Sequence, residues 1–412
     1  MKSICLVLYT HQPIKLKNYR FYDIGKSSAY FNEASNNEQI QNLVKKKFTP
    51  VNKALMKIFQ NSSGHFKISF SFSGTTLDLL ENSAPEIIRD LKKMNELGYV
   101  EFLSETYSHS FLSKKYLKEF MEQTKIQKRK VLNMFGQIPK TFLNVSGYPL
   151  PLLSSTLPDM GFNVLIQFNS MLSKGQNSSN YHYHAGNIHP IKILQTDKRL
   201  LNQFLLPSLK NKKGNKMDID SFLNWIKGIP KEDEVICIAL NYCNLVSENP
   251  EENFLLDFIK KLPKKAKKMG IGFSTPSELI YKNITERHPT LSIRESFRYN
   301  FDSTKLNIFQ KEILDLLYHL KDKVYQTNNT EIIKTWFYLQ DQGLFKELEA
   351  DYIADSEKNN AIQFYITFRN VIHDFTQRVE QSLLSRDLEM NPNPMEIQYY
   401  SNNNPDNINM LF

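Results

Sequence analysis

Seven short apolar runs, set among longer stretches of helical periodicity, place the strongest limit on how this 412-residue chain can fold. They are Ser3–Tyr9, Phe66–Phe72, Val100–Leu103, Thr141–Val145, Val164–Phe168, Ile191–Leu194 and Val235–Leu240. Each is rich in β-branched or aromatic residues and too short for a helix, so each reads as a buried strand. The helical stretches are Leu77 to Leu97, Leu117 to Met134, Ser221 to Ile226 and Phe254 to Met269. In the first of them Leu77, Leu80, Ile87, Leu91 and Met94 supply the apolar face. Strand–helix alternation predicts parallel strands with helical crossovers. The fold class is therefore α/β: a (β/α)7-type barrel over residues 1–290, with its chemistry at the C-terminal strand ends.

Those strand ends are polar. They read Thr10-His11-Gln12-Pro13, Ser71-Phe72-Ser73-Gly74-Thr75, Glu105-Thr106-Tyr107-Ser108-His109, Asn144-Val145-Ser146-Gly147-Tyr148 and Asn241-Tyr242. Groups able to hydrogen-bond or exchange protons gather where a barrel keeps its ligand. The pattern predicts a polar-ligand pocket without naming the ligand.

Beyond about residue 290 the period becomes purely helical. Ile308, Phe309, Ile313, Leu316, Leu317, Leu320 and Val324 share one face, and further helical patterns run through Ile332–Leu348 and Ile362–Val379. Residues 291–386 are expected to form a helical domain packed on the barrel. Residues 387–412, rich in Asn and Pro, are expected to be a disordered tail.

Composition excludes several classes. The net charge of +9 is scattered except for the run Lys260–Lys268, which reads as a solvated helix face, so nucleic acid is not an expected partner. Three cysteines give no disulfide framework and no zinc spacing, and Cys243 reads as structural. His182, His184 and His189 have the alternation of metal ligands on a strand, but a polar loop explains them as well. No metal and no cofactor are expected. The run from Ile4 to Tyr9 is too short for a signal-peptide core or a membrane span, so a cytoplasmic protein without a membrane partner is expected.

An ordered set of motifs now carries a resemblance. His11-Gln12-Pro13 is followed by Tyr19-Arg20-Phe21-Tyr22-Asp23-Ile24-Gly25, Phe70-Ser-Phe-Ser-Gly-Thr, and Val100-Glu-Phe-Leu-Ser-Glu-Thr-Tyr-Ser-His-Ser. Asp159-Met-Gly-Phe, Phe273-Ser-Thr-Pro-Ser-Glu and Trp336-Phe-Tyr-Leu-Gln complete it. The chain resembles glycoside hydrolase family 57, the α-amylase type, from Ile4 to about Phe375. The resemblance implies an α-glucan or oligosaccharide as the binding partner. It places the family nucleophile on Glu105 and implies sugar contacts from His11, Gln12, Ser73, Tyr107, His109, Asn144, Tyr242 and Trp336.

The departures from the family pattern bear on activity. Where the family has Asp-Tyr-Glu-Thr-Phe-Gly, this chain has Asn241-Tyr242-Cys243-Asn244-Leu245-Val246, so the acid/base position holds Asn241. Asn144-Val145-Ser146 stands for Asn-Thr-Glu, and Gln342-Gly343-Leu344 for Ser-Asp-His. An amide cannot protonate a leaving alkoxide, and general acid catalysis contributes roughly 10²–10⁴ in rate. The leading expectation is a degenerate site that binds α-glucan with weak or no hydrolysis. Two alternatives stay open: an active retaining hydrolase or glucanotransferase with a displaced acid drawn from Asp23, Glu81 or Glu248, and a non-sugar scaffold that reuses the fold. A separation of about 5–5.5 Å between the Glu105 and Asn241 side chains would preserve retaining geometry.

Overall fold

The computed structural model describes residues 2–110, 116–145, 150–168, 183–185, 191–196, 218–229, 235–247, 254–280, 306–349 and 355–390. All seven apolar runs are strands: β1 Ser3–Thr10, β2 Ile68–Phe72, β3 Val100–Phe102, β4 Thr141–Asn144, β5 Val164–Phe168, β7 Ile191–Thr196 and β8 Val235–Asn241. Two short strands were not expected. β6, Tyr183–Ala185, pairs antiparallel with β7, and β9, Gly272–Phe273, pairs parallel with the start of β1.

The strand order is β3-β2-β1-β8-β7-β5-β4, with every neighbouring pair parallel. Its two ends meet. Ser104, just past β3, bridges to Phe142 of β4. Its N–H donates to Thr141 O at 3.0 Å, and its carbonyl accepts from Leu143 N–H at 2.8 Å. Seven parallel strands therefore run in a ring, the (β/α)7 arrangement read from the sequence.

Side chains alternate between two cores, as a pleated strand requires. Cys5, Val7, Leu103, Leu143, Ile166, Leu194, Cys237 and Ala239 fill the barrel interior. Ile4, Leu6, Leu8, Phe70, Phe72, Phe102, Ile236 and Ile238 face the surrounding helices. Burying each of those phenylalanines contributes about 1.5–3 kcal/mol.

The helices of this unit are α1 Glu33–Leu43, α2 Thr49–Ser62, α3 Gly74–Ser83, α4 Pro85–Glu96, α5 Leu117–Phe135, α6 Leu150–Thr156, α7 Ile219–Gly228 and α8 Phe254–Lys268. The stretch expected as one helix over 77–97 is two, because Pro85 starts a new helix. The residue before it, Ala84, leaves the helical region at φ −149° and ψ 56°. Helices α1 and α2, joined by a π turn at Val44–Phe48, were absent from the sequence reading. Yet α2 buries Val51, Leu55, Ile58 and Phe59 at helical spacing.

The chain divides into two compact units. The first comprises residues 1–14 and 33–303. The second comprises 304–412 together with Lys15–Asn32, a segment that the periodicity assigned to the barrel span. Described helices of the second unit are α9 Ile308–His319, α10 Lys321–Gln326, α11 Thr330–Leu339, α12 Gln342–Lys346 and α13 Asp355–Met390. Residues 387–390 of the expected tail continue α13, and the tail beyond them lies outside the described residues.

One buried carboxylate ties the inserted segment to α13. Asp374 accepts Gly25 N–H at 2.6 Å, the Tyr30 hydroxyl at 2.5 Å and Arg378 Nε at 2.6 Å. Burial pushes its carboxyl up, but these donors outweigh burial and hold it below its ordinary value of 3.8. The same cluster pushes the Tyr19 hydroxyl up to about 12, chiefly by burial and then by the charge on Asp374.

Replacing Asp374 by Asn is expected to cost roughly 1.5–3 kcal/mol at neutral pH, the range for hydrogen bonds to a charged group. Because the folded carboxyl ionises more readily than a free one, its contribution is complete above pH 3.8 and fades as pH falls through the depressed value. Urea denaturation of wild type and Asp374→Asn should show the gap closing on that acid side; a gap that stays constant into acid would contradict the assignment.

Candidate functional site

Glu105 stands two residues beyond Leu103, so it inherits the inward parity of β3. Its carboxylate is nearly enclosed, with 2% of the side chain exposed. Oε1 accepts the Ser71 hydroxyl at 2.9 Å, and Oε2 lies 2.5 Å from His109 Nδ1. A carboxylate only accepts, so His109 Nδ1 carries the proton of this bond.

His109 holds this position at φ +50°, a left-handed conformation that costs a non-glycine residue about 1–3 kcal/mol. Its N–H donates to Thr106 O at 3.1 Å, and its ring stacks on His11 at 4.4 Å with 8° between the planes. His11 Nδ1 in turn lies 2.9 Å from Ser73 Oγ. Ser73 is the N-cap of α3, accepting Thr76 N–H at 3.2 Å, and so is locked in place. Glu105, Ser71, His109, His11 and Ser73 thus form one contiguous group contributed by the ends of β1, β2 and β3.

Asn241 closes β8, two strands from Ser71. Tyr9 of β1 is in register with Ser71 on one side and with Asn241 on the other. Successive strands lie about 4.8 Å apart, so the backbones at Ser71 and Asn241 are about 10 Å apart around the ring with side chains of the same inward parity. Asn241 caps the 3-10 turn Tyr242–Leu245, its Oδ1 accepting Cys243 N–H at 2.9 Å. Its amide hydrogens and the second lone pair of Oδ1 remain to be offered elsewhere.

No strong acid stands beside Asn241 among the described residues. Burial pushes the thiol of Cys243 up, and its Sγ lies 3.5 Å from Thr10 Oγ1. Burial, then the charge of Glu105, pushes the Tyr9 phenol up. Tyr242 is pushed well up by complete burial. Of the acids considered as replacements, Glu81 sits on α3 and pairs with Lys130 at 2.8 Å. Asp23 belongs to the second unit and accepts Arg20 N–H at 2.8 Å. Glu248 lies outside the described residues. The barrel holds another buried carboxylate, Glu101, raised by burial and held by Thr141 Oγ1 and Ser277 N–H. It lies within β3, four residues before Glu105, at most about 13 Å away along an extended chain and beyond the Leu103 layer.

The remaining residues expected at the sugar site are engaged elsewhere. The Tyr107 hydroxyl bonds Asp78, and its ring packs so tightly on Gly74 that a Cβ there would sit 2.2 Å from it. Gln12 donates its backbone N–H to Thr76 Oγ1 at 2.7 Å and its amide to Gln39 at 3.1 Å. Asn144 alternates with the inward Leu143 and donates to Gln167 at 2.6 Å, with its side chain on the outer face of β4. Tyr242 is fully buried outside the barrel, stacked on Phe48 and bonded to Asn52. Trp336 lies in the second unit, fully buried with its ring edge-on to Tyr318. Ser146, Tyr148, His182 and His189 lie outside the described residues. Among those described, no three His, Cys, Asp or Glu side chains gather as metal ligands.

Ser71 stands among the polar strand ends of the sequence, but neither it nor Tyr9 was expected as a site residue. The signal was available: both share inward parity with Ser73 and His11, one β step nearer the middle of their strands.

Comparison with known proteins follows this geometry. The model of glycosyl hydrolase family 57 matches residues 5–294. A Methanocaldococcus jannaschii protein provisionally described as an alpha-amylase is 22% identical over 408 residues, covering 92% of this chain and 85% of that protein. A GH57 branching enzyme from Thermococcus kodakaraensis, solved in complex with glucose and additives, superposes with a TM-score of 0.61 at 10% identity, covering 95% of this chain and 94% of the enzyme. A 4-alpha-glucanotransferase from Thermococcus litoralis gives 0.57 at 14% identity over 84% of this chain, which spans only 56% of that enzyme. At such identities the structural likeness speaks for the fold, and the family match speaks for the lineage: the chain belongs to glycosyl hydrolase family 57.

Proposed function

We propose that this protein binds an α-glucan or related oligosaccharide at the Glu105 end of its barrel and cleaves it weakly or not at all. The observation that carries the reading is the pairing of a prepared carboxylate with an amide. Glu105 is buried, oriented by Ser71 and His109, and suited to attack an anomeric carbon. Asn241, at the strand end where the family carries its acid/base, holds no transferable proton. A glycosidic oxygen only accepts, so Asn241 can offer it an amide hydrogen bond but no proton.

Several observations support this over an active enzyme with a displaced acid. An effective general acid needs a pKa near the working pH. Cys243, Tyr9 and Tyr242 are all shifted upward, away from that range. Glu81 is committed on an outer helix, and Glu101 is fixed at the other end of β3. Glucan chemistry recurs among the similar proteins, which include an enzyme solved with glucose. The imidazoles of His11 and His109 supply donors and acceptors for sugar hydroxyls.

An aryl α-glucoside with an acidic phenol leaves without protonation. It should therefore give a burst of about one phenol per protein, abolished in Glu105→Gln. Rapid-mixing absorbance measures this, and absence of a burst would remove Glu105 as nucleophile. Restoring the acid by Asn241→Asp is expected to raise turnover of maltooligosaccharides by roughly 10²-fold or more, read by product chromatography. Calorimetric titration with maltooligosaccharides should show saturable binding to wild type; no heat at millimolar ligand would retire the glucan reading and favour a scaffold.

A further inference from the structure

We infer that a groove between α2 and α8, at the end of the barrel opposite Glu105, is a binding site for small phosphorylated ligands. The two ends are distinct in the chain. Glu105 follows the C-terminal end of β3, whereas His65, which lines the groove, stands three residues before the N-terminal end of β2. The groove has a volume of about 790 Å³, within the usual size range for small-molecule pockets.

Its charge sets it apart. Lys57 reaches it from α2, and Lys260, Lys264, Lys267 and Lys268 reach it from α8. No carboxylate lines it. Lys260 pairs with Asp257 at 3.0 Å. Lys57, Lys264, Lys267 and Lys268 make no ion pair among the described residues.

Lys57, Lys260, Lys264, Lys267 and Lys268 are all exposed, as a solvated face requires, yet they border one groove. Lys260, Lys264 and Lys268 recur at i, i+4 and i+8, a spacing at which like charges destabilise a helix. Two helix C-termini beside the groove attract cations, and each contributes roughly half a negative charge. Together they offset about one of five positive charges, so most of the excess is left for an anion.

The ligand class follows from the lining. Lysine ammonium groups act as mobile point charges that suit a phosphate, and they lack the planar fork with which arginine grips one. Ala54, Ile58 and Pro263 give the groove an apolar part against which a sugar or base can lie. His65 donates Nε2–H to Ile271 O at 3.1 Å, which orients its ring edge-on to Phe273. Asn61 and Ser62 add neutral hydrogen-bonding groups. A compact phosphate ester carrying two or more negative charges matches this mixture.

Calorimetric titration of the full chain with inorganic pyrophosphate, ADP and glucose 1-phosphate tests the proposal. Saturable binding of at least one is expected below about 1 mM at low salt, weakened by added salt. The double variant Lys264→Glu/Lys268→Glu should weaken it by about tenfold or more, and Lys57→Gln, on the other helix, by a smaller factor. Equal melting temperatures for Lys57→Gln and wild type guard against loss of fold. ADP or glucose 1-phosphate binding more tightly than pyrophosphate assigns the organic part; pyrophosphate binding as tightly as either assigns the phosphates alone. No saturable binding of any probe, binding indifferent to both variants, or a single-stranded oligonucleotide that outcompetes all three would overturn it.

Discussion

The place of the Glu105 carboxylate depends on its neighbour Ser104. That residue uses all three of its hydrogen-bonding groups. Its N–H and carbonyl close the barrel onto β4, and its hydroxyl donates to Gln127 Oε1 at 2.6 Å. Gln127 passes the connection on, donating from Nε2 to Phe72 O at 3.0 Å, at the end of β2. One helix of the outer layer thus stitches together the ends of β2 and β3, the strands that supply Ser71 and Glu105. Gln123, one turn earlier on α5, accepts from Ser108 N–H and Ser110 Oγ, both at 3.2 Å. The loop that carries His109 is fastened to the same helix. Barrel closure and the placement of Glu105 are therefore one set of hydrogen bonds, and disturbing either disturbs both.

The proposed loss of an acid falls at Asn241 of β8, on the far side of β1 from that set, so it leaves those bonds untouched. Asn and Asp are nearly equal in size, and Asn241 still caps the turn that follows it. The exchange alters charge without altering the ring. On the proposed reading what is lost is proton delivery, and what is kept is the Glu105 carboxylate, bonded to Ser71 and His109, beside the stacked rings of His11 and His109.

Most of the barrel was legible because buried parallel strands announce themselves as short apolar runs, and all seven did. The inward group was legible in part. Glu105, His11 and Ser73 sit just past strand ends, where parity still governs direction, whereas His109 joins them through the turn that follows. Asn144 and Tyr242 turn away because one residue of offset reverses a strand's facing, and Tyr107 lies in the turn, beyond the reach of strand parity. Tyr107 and Tyr242 are also large enough to be claimed by the core. The left-handed backbone of His109 has no sequence mark, since glycine usually occupies such positions. Nor does periodicity show that Lys15–Asn32 belongs with residues beyond 304. That link includes the Asp374 carboxylate, meeting Gly25 and Tyr30 across nearly 350 positions of chain, the Asn370 amide on Tyr19 O, and ring contacts of Tyr30 with Phe375 and Phe31 with Tyr338.

The basic run on α8 shows a different kind of blindness. Read along the chain, KKLPKKAKK is a solvated helix face, and composition alone supports nothing sharper. The packing of α2 against α8 changes the question. It brings Lys57 to the same groove and brings no acid with it. Five exposed lysines from two helices then border one concave surface, the arrangement on which the proposed anion site rests. A sequence records how many lysines there are. Only the fold decides whether they meet.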